Sequence, residues 1–347
     1  MSPARWQAVW SQRGLIAWLL WPISLLYGAL GALRRALYRA GVLAVHRLPV
    51  PVVVVGNVVV GGAGKTPTVI ALVRHLQARG WTPGVVSRGY GREGDGVLSV
   101  EDGTSASASG DEPALIRRST RVPVFVAARR VDAARALLAA HPEVDLLLCD
   151  DGLQHLALGR DLSIAVFDER GSGNGWQLPA GLLREPWPPT PRDRFAPDLL
   201  LRQRRDEVAG APLTVPTGLP AFEAWRRLAD HAINRQGLRV ALAELGQRPL
   251  TAVAGIARPE VFFDMLRERG VPLKRAIPMA DHAQDRDYAA LELQTGETLV
   301  CTEKDAVKLF DLLPLAVEAW AVPLELSPEP AFWTTFDALL AERVARR

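Results

Sequence analysis

From Gly14 to Leu33 the chain runs for 20 residues without a charge, GLIAWLLWPISLLYGALGAL, and Arg34, Arg35 and Arg39 follow at once. An uncharged run of about 18 residues or more is long enough for a helix to cross a bilayer. Pro22 interrupts this one, and Trp18, Trp21 and Tyr27 favour the headgroup zone, so the pattern predicts an apolar helix lying in a membrane interface. A buried core helix is the alternative for such a run. A cleaved leader is disfavoured, because no small-residue cleavage site precedes the arginines.

Further on, the hydrophobic pattern changes its period. Pro51 to Val60 reads PVVVVGNVVV, a short continuous β-branched run that predicts a fully buried strand. It leads into GGAGKTPTVIALVRHLQARG, where Val69, Leu72, Val73 and Leu76 recur at helical spacing until Gly80. Strands are then predicted at Gly84–Ser87, Val122–Val126 and Val144–Cys149, with helices from about Asp111 and over Val131–Ala140. A second cycle begins near Leu250 with the strand TAVAGI, a helix over Glu260–Arg269, a strand at Leu299–Thr302 and a helix from Pro330 to Arg347. Leu199 to Ala229 reads as the connection between the two halves. Such alternation predicts an α/β protein whose mostly parallel sheet is covered by helices on both faces. The expected domains are an apolar N-terminal segment (1–47), a nucleotide-binding core (48–229) and a smaller C-terminal α/β domain (230–347) contributing to the active-site cleft.

Composition narrows the partners. The chain has 347 residues, 48% of them hydrophobic, and a net charge of +3, which suits about two folded domains and argues against a nucleic-acid surface. Cys149 and Cys301 each end an apolar run, far from any second ligand at metal spacing, and read as reduced core residues.

The segment Gly61-Gly62-Ala63-Gly64-Lys65-Thr66 has the context of a phosphate-binding loop, since it follows a buried strand and opens a helix. Its glycines let backbone N–H groups surround phosphate oxygens, Lys65 reaches the β and γ phosphates of ATP, and Thr66 can ligate Mg²⁺. The strict motif has glycine where Val59 stands, so the loop is a variant of the double-glycine type. Asp150 and Asp151, at the carboxyl end of the run VDLLLCD, are placed to hold magnesium directly or through water. Asp111 and Glu112 open a predicted helix, where capping is the simplest reading.

Taken in order, GGAGKTP, SRGYGR (Ser87–Arg92), GDEP (Gly110–Pro113), DDGLQH (Asp150–His155), LPAGLLREP (Leu178–Pro186), ADH (Ala280–His282) and TEKDAVKL (Thr302–Leu309) resemble the tetraacyldisaccharide 4′-kinase family of lipid A biosynthesis. The resemblance implies a P-loop NTPase-like core that moves the γ-phosphate of ATP to the 4′-hydroxyl of tetraacyldisaccharide 1-phosphate, forming lipid IVA. It implies Asp111 as base with His282 beside it, Arg184 on the transferred phosphoryl group and Arg88 as a weaker candidate. Thr66, Glu112, Asp150 and Asp151 are implied around magnesium, with Gln154 and His155 in the surroundings. Where the family pattern has a second histidine, this sequence has Ala283. The implied partners are an acylated glucosamine disaccharide lipid and a membrane surface, with no obligate protein partner, at the cytoplasmic face of a bacterial inner membrane. A membrane-associated nucleotide-switch NTPase is the competing reading, but Asp150-Asp151-Gly152 lacks the Asp-x-x-Gly spacing of a switch and TEKD lacks the Lys-x-Asp spacing that reads guanine. A non-catalytic membrane-anchoring protein is the third.

Overall fold

The computed structural model describes residues 3–62, 64–190, 193–205, 210–248, 250–281, 283–291, 296–314 and 316–347. Two of the residues singled out by sequence, Ala63 and His282, lie outside the described residues. The fold divides into two compact units that alternate along the sequence: residues 1–88, 129–225 and 327–347 form the first, and residues 89–128 and 226–326 the second.

The first unit is built on a run of six parallel strands, ordered in space as Ala221–Leu228, Leu199–Arg204, Leu162–Phe167, Val52–Asn57, Leu146–Asp150 and Pro83–Ser87. Every residue of Val52–Asn57, Leu162–Phe167 and Leu146–Asp150 is buried, as a parallel sheet covered on both faces requires. The central strand, with Val53, Val54 and Val55 fully buried, feeds helix Lys65–Ala78, whose Val69, Leu72, Val73 and Leu76 face inward. Leu199–Arg204 and Ala221–Leu228, expected as a connection, are instead paired strands with Leu200 opposite Ala221 and Arg204 opposite Trp225. Their polar ends, RQR and WRR, hide the strand pattern.

The helix Leu15–Arg39 belongs to the first unit and continues through Pro22. It is long and apolar enough to cross a membrane by length and composition. Leu15, Leu19, Ile23, Leu26, Leu30 and Leu33 are all more than half exposed, and their spacing of three or four residues puts them on one face. Ala17, Ser24 and Tyr38 are buried.

Among the described residues, the second unit carries a six-stranded sheet. Glu318–Val322, Thr298–Thr302, Leu250–Ala254 and Leu273–Pro278 run parallel, and His231–Asn234 and Arg239–Ala241 extend it antiparallel. Phe262, Phe263 and Leu266 of helix Pro259–Glu268 fill one core. Leu309 and Phe310 of helix Glu303–Leu312 pack with Val253, Leu299 and Cys301 in another. Cys301 here and Cys149 in the first unit are both buried free thiols, and burial pushes the Cys149 thiol up to about 12.

Candidate active site

In the first unit, the site grows from the end of the central strand. Gly61 and Gly64 adopt φ of +90° and +80°, the left-handed region that other residues enter only at a cost. Gly64 caps helix Lys65–Ala78 without any side-chain hydrogen bond to its first turn. The backbone N–H groups of that turn therefore keep their capacity for an anion, reinforced by the helix dipole.

Val59 shows what replaces the missing glycine. It is fully buried and forms an antiparallel bridge with Leu183. Val60 N–H donates to Leu182 O at 2.9 Å and Arg184 N–H to Val58 O at 2.7 Å. The loop is thus stitched to the LPAGLLREP segment, and the stitch delivers Arg184 to the phosphate loop.

Three residues not singled out as candidates complete the cradle. Gln203, fully buried, donates through Nε2 to Gly64 O and to Thr68 Oγ1, both at 2.7 Å. Asn57, also fully buried, donates to Gly61 O at 3.1 Å. Arg170 donates to Val60 O at 3.2 Å and is oriented by Asp168 at 2.8 Å, a carboxylate with no solvent exposure. Gln203 and Arg170 lie more than a hundred positions from the loop, and the sequence offers no local signal for them.

Asp151 is the convergence point. Lys65 Nζ lies 3.7 Å from its Oδ1, and Arg184 Nη1 lies 2.9 and 3.2 Å from its two oxygens. Burial alone would raise its carboxyl, but Lys65, Arg184 and Arg130 together hold it below the ordinary carboxylate value. Its φ of +50° is uncommon for a non-glycine residue, and a sharp reversal of the chain follows. Gly152 N–H donates to Val55 O at 3.1 Å, and a Cβ on Gly152 would stand 2.6 Å from Cys149 Sγ. Arg160 holds the far side of this loop through the carbonyls of Leu153, Gly152 and His155. Asp150 is buried and accepts from Ser87 Oγ at 3.2 Å. Thr66 sits in the first turn of the helix, and Arg88 is exposed at the end of a strand.

Within the second unit, Gly110 (φ +92°) precedes helix Asp111–Thr120, and a Cβ there would press on the backbone of Gly89 and Tyr90 at 3.1 to 3.2 Å. Asp111 is buried and pairs with Lys308 Nζ at 2.8 Å. Lys308 also donates to Ala283 O at 2.8 Å. Lys304 pairs with Asp281 at 2.8 Å. Burial works against its charge, and the Asp281 and Glu112 carboxylates more than offset that and raise its pKa. Asp305 faces the other way and accepts from Gly255 N–H at 2.8 Å, Tyr288 OH at 2.5 Å and Thr302 Oγ1 at 2.5 Å. Adjacent helical positions diverge by about 100°, which is why neighbours in TEKD serve different partners.

Among the described residues, no group of three or more His, Cys, Asp or Glu side chains is gathered to hold a metal. What the first unit offers is a glycine-rich loop at a helix N-terminus, with two cations beside one carboxylate. The sequence profile of the tetraacyldisaccharide-1-P 4′-kinase family matches residues 16–341. The chain belongs to that family. It is 55% identical over 336 residues to the tetraacyldisaccharide 4′-kinase of Polaromonas naphthalenivorans, covering 95% of this chain and 93% of that one. It is 44% identical over 337 residues to the corresponding kinase of Dechloromonas aromatica, covering 94% and 95%. Its fold is similar to a crystal structure of LpxK from Aquifex aeolicus in complex with ATP, with a TM-score of 0.79, 28% identity and coverage of 95% and 99%. As a member of this kinase family the chain is an enzyme, and its α/β fold is the family's fold.

Proposed function

We propose that the chain transfers the γ-phosphate of ATP to the 4′-hydroxyl of tetraacyldisaccharide 1-phosphate, and that the loop Gly61–Thr66 is its nucleotide site. The observation that carries the reading is the meeting of Lys65 and Arg184 on Asp151 at the mouth of a helix opened by Gly64. Phosphoryl transfer asks for positioned positive charge more than covalent chemistry. Lys65 and Arg184 supply it, with Asp151 keeping both side chains extended toward the loop.

Magnesium, when bound, supplies counter-charge to the phosphate oxygens. Thr66 Oγ1 and the carboxylates of Asp150 and Asp151 are the hard oxygen donors such an ion takes. A magnesium site needs one or two carboxylates plus phosphate and water rather than a protein cage, so the scattered acids fit it. Asp111 takes the proton of the acceptor hydroxyl, with His282 as its partner in managing that proton.

The exposed face of Leu15–Arg39 docks on the cytoplasmic face of the inner membrane. A docked rather than spanning helix is supported by its polar contacts along the protein, among them Ser24 Oγ to Gln177 O at 2.8 Å and Tyr27 OH to Arg184 O at 2.9 Å, which a spanning helix would have to surrender.

The test is transfer of labelled phosphate from ATP to an acylated glucosamine disaccharide 1-phosphate, with a monosaccharide acceptor as control. Lys65→Ala and Asp111→Ala should each remove most transfer. A near-normal rate in either variant would refute its assignment, and turnover indifferent to the lipid would indicate a general ATPase.

A further inference from the structure

Basic residues at the end of an apolar interfacial helix ordinarily meet anionic headgroups. Arg35 does not fit that description. Its side chain is only 14% exposed and its Nη1 lies 3.3 Å from Glu185 Oε2. The other oxygen of Glu185 accepts from Gln154 Nε2 at 2.7 Å. The same amide nitrogen donates to Asn57 O at 3.1 Å, and the Asn57 side chain donates to Gly61 O at 3.1 Å. A continuous polar chain therefore runs from the apolar helix to the carbonyl of the first glycine of the phosphate loop. A second strand of contact reinforces it, since Arg34 Nη1 donates to Gln154 O at 3.0 Å.

We propose that Arg35 is a positioning residue for the nucleotide site, fixing Gly61 through Glu185, Gln154 and Asn57, so that the seating of the apolar helix and the setting of the phosphate loop are one coupled equilibrium. Each member has a chemical reason to be there. The Glu185 carboxylate is half-buried and needs a cation, and Arg35 supplies one from outside the sheet. Gln154 has two amide protons and gives one to each neighbour. Asn57 is fully buried, held at its backbone carbonyl by Gln154 while its side-chain amide holds Gly61 O. The consequence is that the helix does more than anchor the enzyme. Its position contributes to ATP affinity even with no lipid acceptor present.

The inference rests on the reading that this loop binds ATP, and the experiment separates the two. ATP affinity of the full chain is measured in detergent without lipid acceptor, by isothermal titration, for the wild type, Arg35→Met, Glu185→Gln and the double variant. Partition onto phosphatidylglycerol vesicles is measured alongside. Arg35→Met and Glu185→Gln should each weaken ATP about 10-fold, the weight of one charge-assisted hydrogen bond. The double variant should be no weaker than the singles, Arg35→Lys should recover most of the loss, and vesicle partition should stay near wild type. Arg39→Met, at an exposed residue of the same turn, should lower partition and leave ATP affinity unchanged. If Arg35→Met instead lowers partition while ATP affinity holds, Arg35 serves headgroups and the proposal is overturned. Additive losses in the double variant overturn it as well. Thermal melts identify any variant that fails to fold, in which case Arg35→Lys against Glu185→Gln decides. Failure of the wild type to bind ATP would refute the nucleotide reading itself.

Discussion

Lys308 Nζ lies 2.8 Å from Asp111 Oδ1, and both side chains are only 8% exposed. The same ammonium donates to Ala283 O, so one lysine ties the helix that begins at Asp111 to the residue that follows the ADH segment. Removing one partner of a buried ion pair strands the other and costs about 3–5 kcal/mol, whereas removing both is often close to neutral. Lys308→Met should therefore unfold at markedly lower urea, and Asp111→Asn with Lys308→Met should regain most of the midpoint. Kinase activity should be lost in both. A wild-type urea midpoint for Lys308→Met alone would show that the pair carries no such weight.

Gly64 and Gln203 form a second dependent pair. Any Cβ on Gly64 would run into the Gln203 side chain, and the φ of +80° disfavours the substitution on its own account. Gly64→Ala should remove nearly all transfer. Gln203→Leu removes one buried donor from Gly64 O and the donor to Thr68 Oγ1, at about 1–3 kcal/mol. Its KM for ATP should rise about 10-fold or more, with the KM for lipid unchanged. Equal changes in both constants would argue that Gln203 only supports the fold.

The difference in legibility between these residues is physical. Gly61, Gly64, Lys65, Asp150 and Asp151 could be read because strand, turn and helix signals lie beside them in sequence. Gln203 acts across 139 positions and Lys308 across almost two hundred, and no local periodicity encodes which buried amide or ammonium will meet which loop. Val59 was legible only as a departure from the strict motif. Its cause, pairing with Leu183, needed the fold. Leu199–Arg204 was misread because LLL followed by RQR looks like the start of a linker until a parallel neighbour satisfies its backbone.

Arg160 makes a sharper demand on the loop that carries the acids. It donates to Leu153 O, Gly152 O and His155 O at 3.1 to 3.5 Å. Arg160→Met keeps much of the stem and leaves three carbonyls without this donor, at a cost of about 3 kcal/mol. Transfer should fall by at least about 10-fold as Asp151 loses its set, and the loop amides should exchange faster in hydrogen-exchange experiments. Unchanged exchange at Gly152 and His155 would remove the loop-holding role.

His155 gives the enzyme a pH signature. Burial, followed by the guanidinium groups of Arg130, Arg34, Arg160 and Arg129, depresses its imidazole to about 4, and its Nε2 is buried without a hydrogen-bond partner. In the unfolded chain the ring titrates at about 6.5. Between these values the unfolded state binds more protons, so stability rises with pH from about 4 to about 6.5 and this group adds no slope above that. For a partly exposed ring, solvent screening brings the nominal difference down to about 1–2 kcal/mol. His155→Gln has no proton to gain and should flatten the dependence. In urea titrations at pH 5 and pH 7.5 the wild type should lose more stability on acidification than the variant. Identical losses would show that the ring is not held neutral by the fold.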